Sequence, residues 1–292
     1  MNIQKSFQGL QQYGSLYLVA TPIGNLEDMT MRAIRTLQEV ALIAAEDTRN
    51  TRKLLTHFEI KTRLVSYHEH NKEASGPELI KLLLQGESIA IVSDAGLPAI
   101  SDPGADIARD AIAQGIAVVP IPGANAALSS LIVSGLNTDR FTFVGFLPRD
   151  KKSIVALLQQ YAAYRETLIF YESPYRIQKT LQYMLECWGD RQAAVARELT
   201  KRHEEIVRGH LSQCIAHFNE HQPLGEFCII VEGLNDAELE KLEEASQAWW
   251  KELSIAEHVK HYESSMSHKD AMKQTAIDRG VSKRDVYNEI HR

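Results

Sequence analysis

"SIAIVSDAGLPAISDPGADIARDAIAQGIAVVPI", residues 88–121, carries the reading of the fold. The apolar run 88–93 leads into a loop of Gly, Pro, Ser and Asp. A helix-patterned segment, 104–115, follows it, and a second apolar run, 116–121, closes the stretch. Strand, helix and strand make a βαβ unit. Near-continuous apolar strands, rather than alternating ones, belong to a parallel sheet covered on both faces.

The same alternation extends outward on both sides. "SLYLVA" (15–20), "ALIAA" (41–45) and "LVSY" (64–67) read as three earlier strands. Between them lie helical segments at 29–40, with Asp28 as N-cap and Ile34, Leu37 and Val40 at helical spacing, at 48–58, and at 76–86, where Pro comes early and Gly follows the end. A small-residue helix, "ANAALSSLIVSG", ends at Gly135. Beyond it the pattern changes. "FTFVGF", "TLIFYE", "AAVARE", "EEIVRG" and "FCIIVEG" are strands, with helices at about 151–163, 174–186 and 211–220. The short polar link within "ELTKRHEEIVRG" predicts an antiparallel pair. The fold class is therefore α/β. Residues 1–14 form a tail, 15–135 a mostly parallel five-stranded domain, and 136–235 a second α/β domain with a mixed sheet. Residues 236–292 form a helical segment, acidic and helical over 236–260. Its end reads as two short helices around "DRGVS", the outline of a helix-turn-helix, with Ala271, Ala276 and Ile277 facing one way and Ser282 as N-cap.

Composition narrows the function class. No apolar run approaches a membrane span, and the first residues lack an apolar signal core, so a cytoplasmic protein is expected. Cys187, Cys214 and Cys228 form no CxxC pair, which fits a reducing compartment and buried small hydrophobes rather than zinc. The histidines show no HExxH spacing, so no metal site is expected. The net charge of −6 conceals a gradient: residues 145–210 carry eleven basic and eight acidic side chains, and 211–266 carry three basic and eleven acidic. A basic middle permits RNA contact through local patches.

Three loops fall at strand ends: "TPIGN", "SDAGLPAISDPG" and "IPGANAA". In an open parallel sheet, ligands bind at the carboxyl ends of the strands. The loops hold no Lys, and neither GxGxxG nor GxxxxGK[ST] occurs, which disfavours a phosphate cradle. A ligand carrying positive charge, held by backbone groups and a few acids, fits better. Within the second loop, "SDAG" reads as the ligand contact and "SDPG", through Ser101 or Asp102, as the cap of the next helix.

"LYLVATPIGNLEDMT", "AEDTR", "SDAGLPAISDPG", "VVPIPGANAA", "FVGFLPR", "FYESPYRI" and "ARELTKRHEE" occur in one consistent order over about residues 15–234. Together they resemble the tetrapyrrole methylase superfamily, the class III S-adenosylmethionine methyltransferases. Within it they are similar to the branch that methylates the ribose 2′-hydroxyl of a cytidine in small-subunit (16S) ribosomal RNA. Tetrapyrrole-acting members have GPGD-like and GGDP-like loops where this chain reads "TPIGN" and "SDAG", which favours the RNA branch.

The resemblance implies S-adenosylmethionine as cofactor, a homodimer, and a cleft between two α/β domains. Asp94, Ala95 and Gly96 would line the cofactor, with Ala99 and Ile100 against the adenosine. Pro22, Ile23 and Gly24 would form a second wall and Asn125 and Ala126 a third, with Glu172 reaching in from the second domain. A ribose hydroxyl needs a base to share its proton, and Glu46, Asp47, Glu172 and Glu198 are the unranked candidates. Arg149, Lys151, Lys152, Arg197, Lys201 and Arg202 are candidate contacts to RNA phosphates, and Tyr171 and Tyr175 could stack on a base. Two other readings stand beside this one: methylation of a tetrapyrrole or other small molecule, and a non-catalytic, ribosome-associated RNA-binding protein on the same fold.

Overall fold

The computed structural model describes residues 3–4, 12–234 and 250–291. Five parallel strands build the first sheet: β1 (Ser15–Val19), β2 (Leu42–Ala45), β3 (Arg63–Ser66), β4 (Ile89–Val92) and β5 (Ala117–Ile121). Their order is β3-β2-β4-β1-β5. Neighbours are in parallel register, with Tyr17 beside both Ala90 and Val119. The connection leaving β1 crosses toward β2, whereas the one leaving β4 crosses toward β5. The chain therefore leaves these neighbouring strands toward opposite faces of the sheet, at the carboxyl edge where open α/β sheets bind ligands.

Both faces of this sheet are covered, as its continuous apolar strands require. On one face α1 (Met31–Glu39) and α2 (Thr48–His57) bring Ala33, Leu37, Leu54 and Leu55 against Val19, Ile43 and Val92. On the other, α3 (Lys72–Leu84) and α4 (Gly104–Ala113) bring Leu79, Leu83, Ile107 and Ala111 against Leu16, Ala44 and Ile91.

Two helix starts differ from the sequence reading. The N-cap of α1 is Thr30, whose hydroxyl accepts the Ala33 N–H, while Asp28 closes a short 3₁₀ turn, Leu26–Asp28. Helix α3 begins at Lys72, before Pro77. The Asn71 side chain starts it by accepting the His68 N–H and donating to the Ser66 carbonyl.

The second sheet contains β6 (Phe141–Phe146), β7 (Thr167–Glu172), β8 (Gln192–Arg197), β9 (Glu205–His210) and β10 (Phe227–Val231), in the order β6-β7-β10-β8-β9. Only β6 and β7 pair in parallel, and β8 pairs antiparallel with β9 across the polar link. Helices α6 (Lys151–Tyr161), α7 (Ile177–Trp188) and α8 (Leu211–Glu220) cover one face around Phe170, Leu181 and Phe218. The other face receives α5 (Ala126–Ser134), whose Ala127 and Leu131 pack on Ile169, Ala194 and Ile230. Both sheets belong to one compact unit, residues Met1–Ala162 with Glu166–Gly233. Cys214 and Cys228 are buried within it and Cys187 is half-buried.

A second unit comprises Ala163–Arg165 and Leu234–Arg292. Its helices α9 (Ile255–Glu263), α10 (His268–Arg279) and α11 (Lys283–Ile290) pack around Val259, Ala271, Met272, Ala276 and Val286. Gly280 ends α10 in the left-handed conformation, and Ser282 caps α11. Ile277 is 63% exposed, so it lies off the apolar face shared by Ala271 and Ala276. The acidic stretch 235–249 and most of the 1–14 tail fall outside the described residues.

Candidate active site

The strand-end loops are stitched to one another. Thr21, just past β1, exchanges backbone hydrogen bonds with Gly96 in the loop after β4, at 2.9 and 3.0 Å. The Thr21 hydroxyl also donates to the Ser93 carbonyl. Asp94 Oδ1 accepts the Asp47 N–H at 3.1 Å, which ties the end of β2 to the same loop. Gly96 has φ +78°, a conformation that costs a side-chain-bearing residue roughly 1–2 kcal/mol.

Gly24 serves a different purpose. A Cβ there would lie 2.3 Å from Lys201 Cγ and 2.9 Å from Thr200 Oγ1, so only glycine lets the first loop pass against the β8–β9 link. Ala99, Ser101, Glu198 and Thr200 also have positive φ. Such strain on residues with side chains clusters at functional sites.

These loops enclose a cleft of about 430 Å³, within the size range of small-molecule sites. One wall is Ile23, Glu46, Ser93–Leu97, Ile100, Ser101 and Asp102, with Asn125 and Ala126 beside them. The facing wall includes Phe146, Tyr171–Pro174, Ala196, Glu198, Leu199, Lys201 and Glu226–Cys228. Of the expected cofactor residues, Ile23, Asp94, Ala95, Gly96, Ile100, Asn125, Ala126 and Glu172 line the cleft. Pro22, Gly24 and Ala99 are not among the lining residues. Gly24 packs on the β8–β9 link, and the Ala99 N–H donates to Asp102 Oδ1 at 2.9 Å. Asp102 does both jobs that the sequence divided: its Oδ1 also accepts the Gly104 N–H at the start of α4, and the residue lines the cleft.

The carboxylates differ in their surroundings. Glu46, half-buried after β2, accepts the Asp94 N–H and is pushed above its ordinary range by burial and then by Asp94 and Asp102. Burial likewise raises Asp102, against three backbone N–H donors. Asp47 is the N-cap of α2 and is held down to about 2 by hydrogen bonds from Arg49. Glu172 is buried and fully engaged, accepting from the Ser173 N–H (2.8 Å) and the Thr180 hydroxyl (2.7 Å) and pairing with Arg176 (3.3 Å). Arg176 in turn donates to the Leu147 and Pro148 carbonyls. Glu198 binds Lys201 Nζ at 2.9 Å and the Glu226 N–H at 3.0 Å. Burial raises its carboxyl, but these donors outweigh it and hold it below the ordinary range.

The basic candidates also divide. Lys201 bridges Glu198 and Glu226, and Arg197 is held by the Leu224 carbonyl and Glu205. Arg149, Lys151, Lys152 and Arg202 are exposed, with the Lys151 ammonium 5.2 Å from the Tyr183 ring centre. Tyr175 is 93% exposed. Tyr171 lines the cleft, accepts the Ala127 N–H at 3.2 Å, and is pushed up to about 12 by burial.

Phe146, Leu97, Leu199 and Ser173 line the cleft without having been singled out from the sequence. Only their position at strand ends marked them. Among the described residues, no group of three His, Cys, Asp or Glu side chains is placed to hold a metal, and no helix is long and apolar enough to cross a membrane.

The donor set fits a cationic ligand. Six carboxylates and one lysine line the cleft, and that lysine is already bridged between two of the six. Backbone groups and apolar side chains fill the rest of the wall. A sulfonium with an attached nucleoside matches this lining, whereas a polyphosphate would meet repulsion.

Comparison with known proteins agrees with the geometry. The family described as Tetrapyrrole (Corrin/Porphyrin) Methylases matches residues 15–215. A protein of Halalkalibacterium halodurans named Ribosomal RNA small subunit methyltransferase I is 55% identical over 292 residues, covering 100% of this chain and 99% of its own. Proteins of the same name from Bacillus subtilis and Streptococcus pyogenes serotype M1 are 54% and 46% identical. They cover 99% and 100% of this chain, and 98% and 99% of their own lengths. Among solved structures, the fold is shared with uroporphyrin-III-C-methyltransferase from Thermus thermophilus, at TM-score 0.54 and 19% identity over 74% of this chain and 94% of that one. Cobalt precorrin-4 methyltransferase shares it too, at TM-score 0.58 and 14% identity over 75% of this chain and 94% of that one.

Proposed function

Since the chain belongs to the tetrapyrrole (corrin/porphyrin) methylases, we propose that it methylates the ribose 2′-hydroxyl of a cytidine in small-subunit (16S) ribosomal RNA, with S-adenosylmethionine as donor. The observation that carries this reading is full-length identity of 54–55% to relatives named as small-subunit ribosomal RNA methyltransferases, joined to a carboxylate-lined cleft at the strand ends.

When bound, the donor supplies an electrophilic methyl group on a sulfonium. The chain's own contribution is placement and charge. The backbone of Asp94–Gly96 allows close approach because Gly96 adopts a left-handed turn. Ile23, Ile100 and Ala126 offer apolar walls to an adenosine, and Asp94 favours positive charge nearby. Gly24 and Ala99 shape the loops of this wall. Asn125 Oδ1 accepts the Leu128 N–H, which fixes the third loop at the start of α5. Glu172, clamped by Ser173, Thr180 and Arg176, holds the facing wall in shape. Alignment of an attacking oxygen with the methyl carbon is catalysis by positioning.

An acidic cleft repels phosphates, so only a ribose enters it while the RNA backbone stays outside. Arg149, Lys151, Lys152 and Arg202 are exposed and suited to those phosphates. The working form we take to be a cytoplasmic homodimer, a reading supported by the exposed apolar side chains Leu128 and Ile132 on α5.

Incubation with methyl-labelled donor and either small ribosomal subunits or their naked RNA tests the reaction. We expect label in the RNA and none in a tetrapyrrole acceptor. Label in a tetrapyrrole alone would favour the small-molecule reading, and failure to bind donor in calorimetry would leave only an RNA-binding role.

A further inference from the structure

We propose that Glu46 accepts the proton of the ribose 2′-hydroxyl as the methyl group transfers. This rests on the reaction proposed above and names the residue that makes the hydroxyl a nucleophile.

Of the six carboxylates that line the cleft, five are engaged by other groups. Glu172 is held by two hydrogen-bond donors and Arg176. Glu198 and Glu226 share Lys201, Asp102 Oδ1 accepts two backbone N–H groups, and Asp94 Oδ1 accepts the Asp47 N–H within the loop assigned to the donor. Asp47 forms a two-point pair with Arg49 and is absent from the lining. Glu46 lines the cleft at the end of β2, beside the loop after β4, and no lysine or arginine pairs with it among the described residues. The hydrogen-bond donor facing it is the Asp94 N–H.

The charges that face Glu46 favour a stronger base. Burial, Asp94 and Asp102 raise its carboxyl, while the Asp94 N–H and His68 act the other way. Asp47, its neighbour in sequence, is neutralised by Arg49. A base with a raised pKa takes a proton more readily, provided it remains ionised at the working pH. The balance is simple. The O–H bond breaks toward Glu46 and its electron pair stays on oxygen. A new O–C bond forms, and the electron pair of the old C–S bond leaves with sulfur as a neutral thioether. Glu46 returns its proton to solvent.

The test uses the full chain. For Glu46→Gln we expect kcat for ribose methylation to fall roughly a hundredfold or more, with unchanged affinity for S-adenosylmethionine by calorimetry and for the RNA by filter binding. Glu46→Asp should recover part of the rate. Wild-type kcat should fall on the acid side. Asp102→Asn keeps the Oδ1 acceptor but removes a charge facing Glu46, so it should move that acid limb to lower pH. A fully active Glu46→Gln, a loss confined to donor affinity, or an acid limb unmoved in Asp102→Asn overturns the assignment. Ribose methylation by the wild type with any of these results leaves the proposed reaction standing and removes Glu46 alone. A wild type that places no methyl on ribose overturns the reaction and this inference together.

Discussion

The two walls of the cleft hold their carboxylates in opposite ways. On the first-sheet side, Glu46 and Asp102 are raised by burial and meet backbone N–H groups rather than cations. On the second-sheet side, Glu172 and Glu198 are tied to Arg176 and Lys201. The first arrangement keeps acids available to a ligand. The second uses acids as struts, in a segment where β7, β8 and the β8–β9 link must hold their places against Gly24. A carboxylate in a cleft therefore does not identify itself as chemical or structural by residue type. Its partners do.

The contrast breaks most severely at Glu172. Its side chain is 1% exposed, and Glu172→Ala removes the acceptor of the Ser173 N–H and the Thr180 hydroxyl and leaves Arg176 only its two backbone carbonyls. Leaving buried hydrogen-bonding groups unsatisfied costs about 1–3 kcal/mol, so urea unfolding should show a loss near the upper end of that range. A loss below about 1 kcal/mol would mean that the strut is ornamental.

A smaller effect is expected at Lys201, which is partly exposed. Lys201→Met should cost about 1 kcal/mol at neutral pH after solvent screening. Its pH dependence has a definite sign. Glu198 is held below its ordinary range, so the bridge stabilises fully above the ordinary carboxylate pKa and is lost as pH falls through the lowered value. The wild-type advantage should therefore shrink below about pH 4. A difference that persists undiminished at lower pH would contradict the strut reading.

The smallest effect has the opposite sign. Glu46 is raised, so its charge opposes folding at neutral pH. Glu46→Gln should stabilise the fold by a few tenths of a kcal/mol once screening is allowed for, and the gain should vanish as pH falls below the ordinary carboxylate range. Destabilisation would place Glu46 among the struts.

Much of the first sheet was legible in the sequence. Runs such as "SIAIVS" and "IAVVPI" are apolar throughout because both faces of the strands are covered, and the Gly- and Pro-rich loops mark their carboxyl ends. The antiparallel β8–β9 pair followed from its short polar link. Details set by a single hydrogen bond were not legible. Thr30 rather than Asp28 caps α1, and Asn71 starts α3 ahead of Pro77. The division of labour among the acids was hidden for a similar reason. Glu198 meets Glu226 across 28 residues and Glu46 faces Asp94 across 48, and local spacing records neither. The tail showed its two helices around "DRGVS", but not that Ile277 turns outward, because the apolar core is shared with Val259 on α9.

The most direct test of the central claim is mass spectrometry of nucleosides from small-subunit RNA treated with this protein and S-adenosylmethionine. The account predicts a single new nucleoside, a cytidine methylated on its ribose 2′-oxygen. A methyl group on a base, or RNA returned unmodified by protein that binds the donor, would contradict it.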